Sequence, residues 1–567
     1  MKGTLPAVLA MVRFRGTQHS LRLLLRFILL LLLIIVFYSS SFHLLMRWEG
    51  QSHSILSGFY WTITTMTTLG FGDIVFKSDL GRLFSMAVML SGVVFLLVML
   101  PFTFIQFFYA PFMDAQLAAR APRKAPPGTE RHVILTHCDP ITRNLIRKLT
   151  QYRYQYVLLT PDTEQALQLY DEGYHVVVGD LDNPETYRNI YADRAALVAT
   201  TATDELNTNV AFTVRGLCEK VPIIATADVE ASVDILERAG ASHVLQVHDM
   251  TGRFLARRTH AGKSVAHVVG RFEQLVIAEA TAAGTPLVGK TLASSHLRES
   301  AGVTVVGLWE RGRFETARPD SKIDEHSVLL IAGSESQIEH FNRDFAVHHE
   351  VDSPVLVIGA GRVGRATVKA LREQGVSYRI LDKKPELLRG IEHAVEGDAA
   401  KLEDLEKAGI QKAPTVIITT HEDDINIYLT IYCRQLRPDI QILTRCTRER
   451  NIATLHRAGS DFVVSFASMG GNTIFNLLKR SDILMVAEGL SVFRVPTPSN
   501  LQGKSLVESE IRKKTGCSVI AVQRGKELEI NPDPTRSLAP ESELILIGGV
   551  EGQTEFLKNY HKKKKKN

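Results

Sequence analysis

Apolar residues are distributed along the chain in two distinct patterns. Residues 27–46 (FILLLLLIIVFYSSSFHLLM) and 83–108 run without a single Asp, Glu, Lys or Arg. Each is long enough as a helix to cross a hydrocarbon layer of about 30 Å. Between them, Ile55–Met66 (ILSGFYWTITTM) predicts a shorter helix. Beyond residue 113 short β-branched runs alternate with amphipathic segments, the pattern of parallel sheets covered by helices on both faces. The predicted fold class is therefore an α-helical two-span membrane hairpin followed by α/β Rossmann-type domains.

Composition refines this picture only a little. The 567 residues are 45% hydrophobic and 22% charged, enough chain for roughly four domains. A net charge of +5 is small for this length and owes much to the run Lys562–Lys566, so it gives no argument for nucleic acid as a partner. Five cysteines without C-x-x-C or metal-type spacing suit reduced, structural thiols in the cytoplasm. Lys2, Arg13, Arg15, Arg22 and Arg26 precede the first span and Arg120, Arg123 and Lys124 follow the second, which predicts both termini on the cytoplasmic side. No small-x-small cleavage site follows the first span, which argues against a signal peptide. No span carries arginines at every third position, so a voltage sensor is not expected.

The loop between the spans contains Thr67-Thr68-Leu69-Gly70-Phe71-Gly72-Asp73 directly after the short helix. A pore that strips water from a potassium ion must point successive backbone carbonyls inward, and glycines at alternate positions permit the φ > 0 geometry this needs. Thr68, Leu69, Gly70, Phe71 and Gly72 resemble the T-x-G-[YF]-G filter of potassium channels, and residues 20–113 resemble their outer helix, pore helix, filter and inner helix. The resemblance makes K⁺ the permeant ion and Gly92 a candidate gating hinge. Close helix packing explains Gly92 equally well, since membrane interfaces favour small residues. Leu96, Leu97, Leu100 and Phe104 either close a cytoplasmic constriction or face lipid.

A Pro-rich connector, Ala121–Gly128, ends the hairpin. After it the chain repeats itself with a period of about 220 residues. Gly179-Asp180 answers Gly397-Asp398, Thr200–Asp204 answers Thr419–Asp423, and Leu287–Leu292 answers Leu501–Leu506. The second repeat carries strand Val355–Ile358, then Gly359-Ala360-Gly361-Arg362-Val363-Gly364, a helix, and a strand ending in Asp382. Here the first glycine serves a tight turn, the second a close approach of backbone to pyrophosphate, and the third helix–sheet packing, while the acid faces an adenine-ribose diol. The first repeat has Thr136-His137-Cys138-Asp139-Pro140-Ile141-Thr142 instead, without glycine, and Thr160 at the acid's position. Asp139 would repel phosphate. The first repeat is accordingly expected to be a structural adaptor.

Taken together, these features resemble prokaryotic two-span potassium channels with tandem RCK (KTN) domains. The resemblance implies a non-enzymatic, ligand-gated channel in the plasma or bacterial inner membrane, with a homotetrameric pore surrounded by lipid and eight RCK units in a cytoplasmic gating ring. It assigns NAD or an adenine nucleotide as the regulatory ligand, contacting Gly359, Gly361, Arg362, Val363, Gly364, Asp382, Lys383 and Asp398. Ca²⁺ regulates some relatives, but the acidic groups Asp180-Asp182-Glu185 and Glu422-Asp423-Asp424 read equally well as helix starts, and no metal site is assigned. The expected divisions are an N-terminal segment 1–26, pore 27–113, linker 114–128, first RCK domain 129–350 (lobes 129–260 and 261–350), second RCK domain 351–560 (lobes 351–480 and 481–560) and a basic tail 561–567. The alternative function is a regulatory nucleotide-binding subunit of a potassium transport system, which would have no use for residues 47–82.

Overall fold

The computed structural model describes residues 15–109, 113, 121–259, 262–263, 265–310, 313–345, 348–349, 353–478, 483–485, 490–525 and 527–560. Lys2, Arg13, residues 114–120 of the predicted linker with Arg120 among them, and the lysine tail lie outside the described residues. Two compact units result: one holds the described residues up to Pro122 with Asp162–Gly173, the other Arg123–Pro161 and Tyr174 onward.

In the first unit the outer helix α1 spans Arg15–Trp48, the short helix α2 Ile55–Met66, and the inner helix begins with α3, Asp79–Gly92. The inner helix starts four residues earlier than its apolar run because Ser78 caps it, accepting from Gly81 N at 3.1 Å. Glu49, just past α1, accepts from the backbone N–H of Lys77 and Ser78, both at 3.0 Å, and so ties the ends of the two spans together. Beyond Gly92 the helix continues with wider π turns at Val93–Met99 and Ile105–Tyr109, flanking the segment that contains Pro101. Proline has no N–H to donate and its ring crowds the preceding turn, which disfavours regular α spacing on its N-terminal side. Phe42, Met46, Trp61, Met66, Phe76 and Val88 make the core of this unit. Phe42 stacks on Trp61 at 5.0 Å and Trp61 on Phe84 at 5.8 Å. Leu25, Leu29, Leu32, Leu33 and Phe37 are exposed along α1, as a lipid-facing surface requires.

The second unit contains the repeat. Its first half runs β1 (Val133–Leu135), α4 (Pro140–Gln151), β2 (Tyr156–Thr160), β3 (Val176–Val178), β4 (Leu197–Thr200), β5 (Ile223–Thr226), β6 (His243–Leu245) and α5 (Val247–Ala256). The strands form one parallel sheet in the order β3-β2-β1-β4-β5-β6. An antiparallel five-stranded sheet follows between residues 267 and 333. The second half repeats the plan with β7 (Val355–Ile358), α6 (Arg362–Glu373), β8 (Tyr378–Asp382), β9 (Ala394–Glu396), β10 (Thr415–Ile418), α7 (Asp423–Leu436), β11 (Gln441–Cys446), β12 (Phe462–Ser465) and α8 (Phe466–Leu478). Its sheet order, β9-β8-β7-β10-β11-β12, matches the first, and a second antiparallel sheet follows between 483 and 549. The expected fold class is the observed one.

The two halves interlock. Helix α5 of the first half packs on α6 of the second, and α8 of the second packs on α4 of the first. Each crossing is close because of glycine: a Cβ at Gly252 would lie 2.6 Å from Ala366 Cβ, and one at Gly470 would lie 2.9 Å from the Ile141 side chain. The smaller sheets also share one core, in which Phe272, Ile277, Trp309 and Leu330 join Leu490, Val492, Ile520 and Ile545.

Candidate functional site

The segment read as a filter emerges from the end of α2. Ser54 caps the helix start, accepting from Ser57 N at 3.2 Å, and the bonds Leu69 N→Thr64 O (2.9 Å) and Thr68 N→Thr65 O (3.1 Å) close its end. Beyond this, φ is +61° at Thr68, +47° at Gly70 and +74° at Gly72, whereas Leu69 and Phe71 keep negative φ. Residues of one hand in extended chain send successive carbonyls to opposite sides, and alternating the hand brings them to the same side. Glycine was expected at two of these positions. Thr68 takes the left-handed conformation without being glycine, a cost that residue-type reasoning did not anticipate. Phe71 stacks parallel to Tyr60 of the short helix, 6.4 Å between centroids.

Gly92 has ordinary α-helical angles, φ −60° and ψ −46°. A side chain there would overlap the Met66 backbone at the end of α2, so contact with the short helix supplies the packing reason for a glycine. Leu96 and Leu100 pack partly into the core of this unit, while Leu97 and Phe104 are exposed.

In the second repeat, β7 ends at Ile358 and Gly359 turns the chain with φ +100°. Gly361 caps α6, and a Cβ built there would meet nothing within 4 Å, leaving the helix N-terminus bare. A Cβ at Gly364 would overlap the Gly359 carbonyl oxygen. Turn, open approach and close packing thus fall on the three glycines as expected. Asp382, ending β8, accepts from Ala360 N at 2.6 Å and from Lys384 N at 2.9 Å, which fixes its carboxylate beside the loop. Asp398 accepts from Ala400 N at 3.0 Å. Val363 differs from its assignment: its side chain is 1% exposed in the core beneath α6, because the second position of this helix faces the sheet, so only its backbone faces the loop.

Gly359, Gly361, Asp382 and Asp398 line a cavity of about 830 Å³, within the size range of cofactor pockets, whereas Val363 and Gly364 lie behind it. It crosses the carboxyl ends of β8, β7, β10 and β11 in that order, from Asp382 past the glycine loop and Thr419–His421 to Arg445. Lys383 and Arg362 also line it. The bare helix N-terminus and the cationic lining fit a phosphate-bearing ligand. Thr419 Oγ1 donates to Gly359 O at 2.9 Å and braces the loop from β10.

Thr419, His421, Arg445 and His248 were not among the residues picked from sequence. The first two sit in the repeated Thr-Thr-x-x-Asp segment, and ligands of such sheets bind at strand carboxyl ends, a signal that would have found them. His248 comes from α5 of the other repeat, and no local pattern predicts that. Its Nδ1 lies 3.4 Å from Asp228, whose carboxylate also holds Arg362 at 3.0 Å. Two turns along α6, Lys369 pairs with Glu230 at 3.1 Å. Burial, reinforced by Arg445, Arg362 and His421, holds His248 down at about 4, so it is neutral at physiological pH.

The loop of the first repeat is built differently. Asp139 caps α4 and accepts from Thr142 N at 2.7 Å, so a carboxylate already occupies the helix N-terminus. Thr136 bonds Thr200 at 2.9 Å, Thr142 bonds Thr201 at 3.1 Å, and Thr160 is buried. Of the acidic groups, Asp423 is committed to Thr447 N (2.7 Å), Arg448 N (2.9 Å) and Asn451 Nδ2 (2.8 Å). Among the described residues no three His, Cys, Asp or Glu side chains are grouped to hold a metal.

Comparison with known proteins agrees with these features region by region. Residues 27–109 match the Ion channel family, residues 133–247 and 355–466 each match the TrkA-N domain, and residues 276–346 and 490–560 each match the TrkA-C domain. A solved structure titled "GsuK channel bound to NAD" superposes with a TM-score of 0.59 at 36% identity, covering 96% of this chain and 99% of that one. The chain belongs to the two-span potassium channels with tandem RCK domains. Probable potassium channel protein 2 of Methanocaldococcus jannaschii is 32% identical over 232 residues, 37% of this chain and 67% of that protein. Ktr system potassium uptake protein C of Bacillus subtilis is 30% identical over 210 residues, 36% of this chain and 95% of that protein. The latter likeness would suit the regulatory-subunit reading, but the channel carries its own pore region at 27–109. It is a ligand-gated potassium channel.

Proposed function

We propose that an adenine nucleotide, NAD or a close relative, binds the second RCK domain and gates a tetrameric potassium pore in the cell membrane. The cavity that joins a bare helix N-terminus, the acid Asp382 and several cations carries this reading. Gly361, Arg362 and Gly364 form the phosphate loop, with Val363 contributing backbone only. Asp382 takes the ribose diol, and Lys383 and Asp398 border the adenosine end. The solved GsuK channel bound to NAD, alike along nearly the whole chain, supports the ligand class. Thr68 to Gly72 line the selectivity filter, with Gly92 the point about which the inner helix moves. The domain divisions follow the repeat, with pore 27–113 and RCK domains 129–350 and 351–560, both termini cytoplasmic.

Gating follows from differential affinity: a ligand that binds one ring shape better shifts the pore equilibrium by the ratio of its two affinities. The first RCK domain acts as an adaptor, since Asp139 fills its phosphate position. Its Asp228 and Glu230 grip α6, so movement of the nucleotide loop is felt across the repeat.

Planar-bilayer recording of the purified tetramer, with NAD and adenine nucleotides perfused on the cytoplasmic face, tests this. Asp382→Ala should abolish the ligand response at concentrations that act on the wild type while leaving potassium conduction intact. Thr160→Ala should leave the response as it was. Ligand sensitivity that survives Asp382→Ala, or disappears with Thr160→Ala, places the site elsewhere.

A further inference from the structure

Arg445 closes the end of the nucleotide cavity farthest from the ribose acid, at the carboxyl end of β11. The residue is 4% exposed. Buried guanidinium groups are ordinarily matched by a carboxylate, because an unpaired buried charge is costly. Arg445 makes no ion pair among the described residues. Its Nε has no hydrogen-bond partner, and a terminal nitrogen makes a long contact of 3.5 Å with His421 Nδ1. The guanidinium lies over the Phe466 ring at 5.0 Å, with His248 against the same ring at 4.8 Å. The nearby acid that could have neutralised it, Asp423, is saturated by two backbone N–H groups and Asn451. Burial holds the guanidinium down at about 10, leaving it charged at neutral pH.

The first repeat provides a contrast at the same register. Asn207 donates to the Thr226 carbonyl at 2.8 Å, as Asn426 donates to the Arg445 carbonyl at 2.9 Å. Thr226 is a small side chain whose hydroxyl meets Asn207 at 3.3 Å. The buried cation without an ion pair therefore occurs in the repeat that has the glycine loop, and the satisfied threonine in the repeat whose helix N-terminus is capped by Asp139.

We infer that Arg445 is a specificity residue of the nucleotide site, anchoring an anionic group at the end of the ligand remote from adenine. The site then favours an adenine nucleotide extended by a further phosphate over one with the same pyrophosphate but an uncharged distal sugar. An anion there supplies the missing partner of the guanidinium in a desolvated setting, where charged hydrogen bonds are strongest. Arg362 does not provide this selectivity, because it stands at the loop itself, where both kinds of ligand carry pyrophosphate, and is already held by Asp228.

The inference rests on the nucleotide-site reading above, and one set of titrations separates the two. Full-length tetramer in detergent is titrated calorimetrically with ATP and with ADP-ribose. Wild type should bind ATP the more tightly. Arg445→Gln should weaken ATP on the order of ten- to a hundred-fold, the scale of one charge-assisted hydrogen bond, and change ADP-ribose less than about threefold. Arg445→Lys should recover part of the ATP preference. Asp382→Ala should weaken both ligands alike. An unchanged ATP affinity in Arg445→Gln, or an equal loss for both ligands, overturns the role of Arg445 while leaving the site in place. No binding of either ligand by wild type overturns the site and this role with it.

Discussion

Gly361 offers a way to separate a phosphate-binding loop from a fold that keeps its glycines for packing alone. Its φ of −66° is open to any residue, and a Cβ would meet nothing within 4 Å. Gly361→Ala should therefore leave stability within about 0.5 kcal/mol of wild type. The new methyl would instead occupy the space through which a pyrophosphate reaches the N-terminus of α6. Losing one or two charge-assisted backbone bonds costs about 1.5 to 3 kcal/mol, or roughly ten- to a hundred-fold in affinity. Gly364→Ala should behave in the opposite way, since its Cβ would overlap the Gly359 carbonyl. Backbone cannot rotate aside, so about 1 to 3 kcal/mol of overpacking cost or more should appear as reduced thermal stability. The assay is paired: thermal unfolding of the purified protein and calorimetric titration with NAD. Wild-type affinity in a normally folded Gly361→Ala protein would refute the placement of the pyrophosphate.

Gly70→Ala should abolish potassium-over-sodium selectivity in reversal-potential measurements while the unit holding the repeats keeps its melting behaviour, because the strain of an alanine at φ +47° falls on the filter alone; retained selectivity would contradict the filter assignment. Gly252→Leu should lower thermal stability by about 1 to 3 kcal/mol through the crossing of α5 on α6, whereas Gly216→Ala, in open helix, should be neutral or slightly stabilising. His248 and His267 are both held down at about 4, chiefly by burial, so the unfolded chain takes up protons below about 6.5 that the folded state refuses until about 4. Stability should therefore fall as pH drops from 7 to 5, by on the order of 1 to 2 kcal/mol for each histidine, and a His248→Gln, His267→Gln double variant should lose less on acidification; an unchanged acid loss would show that these groups are not responsible.

The sequence by itself determined the elements and most of the chemistry that depends on chain-local geometry. Two uninterrupted apolar runs are long enough to cross a membrane as helices, glycines at alternate positions permit a left-handed backbone, and a strand–glycine-loop–helix–strand–acid series places the elements of a nucleotide-type loop within one stretch of chain. The short helix was predicted at Ile55–Met66, where it lies. Tertiary structure decided what depends on which elements meet. Gly252, Gly470 and Gly471 have no chain-local reason to be glycine, and their reason is the approach of a helix from the opposite repeat. His248 belongs to the first repeat yet lines the cavity of the second, and Asp228, also of the first repeat, holds the cavity residue Arg362. In the sequence Arg445 is one charge in a strand; that it is buried without an ion pair among the described residues is a property of the packed surroundings. Periodicity records how a segment hydrogen-bonds to itself and which face it buries; it holds no information about the partner against which that face is buried.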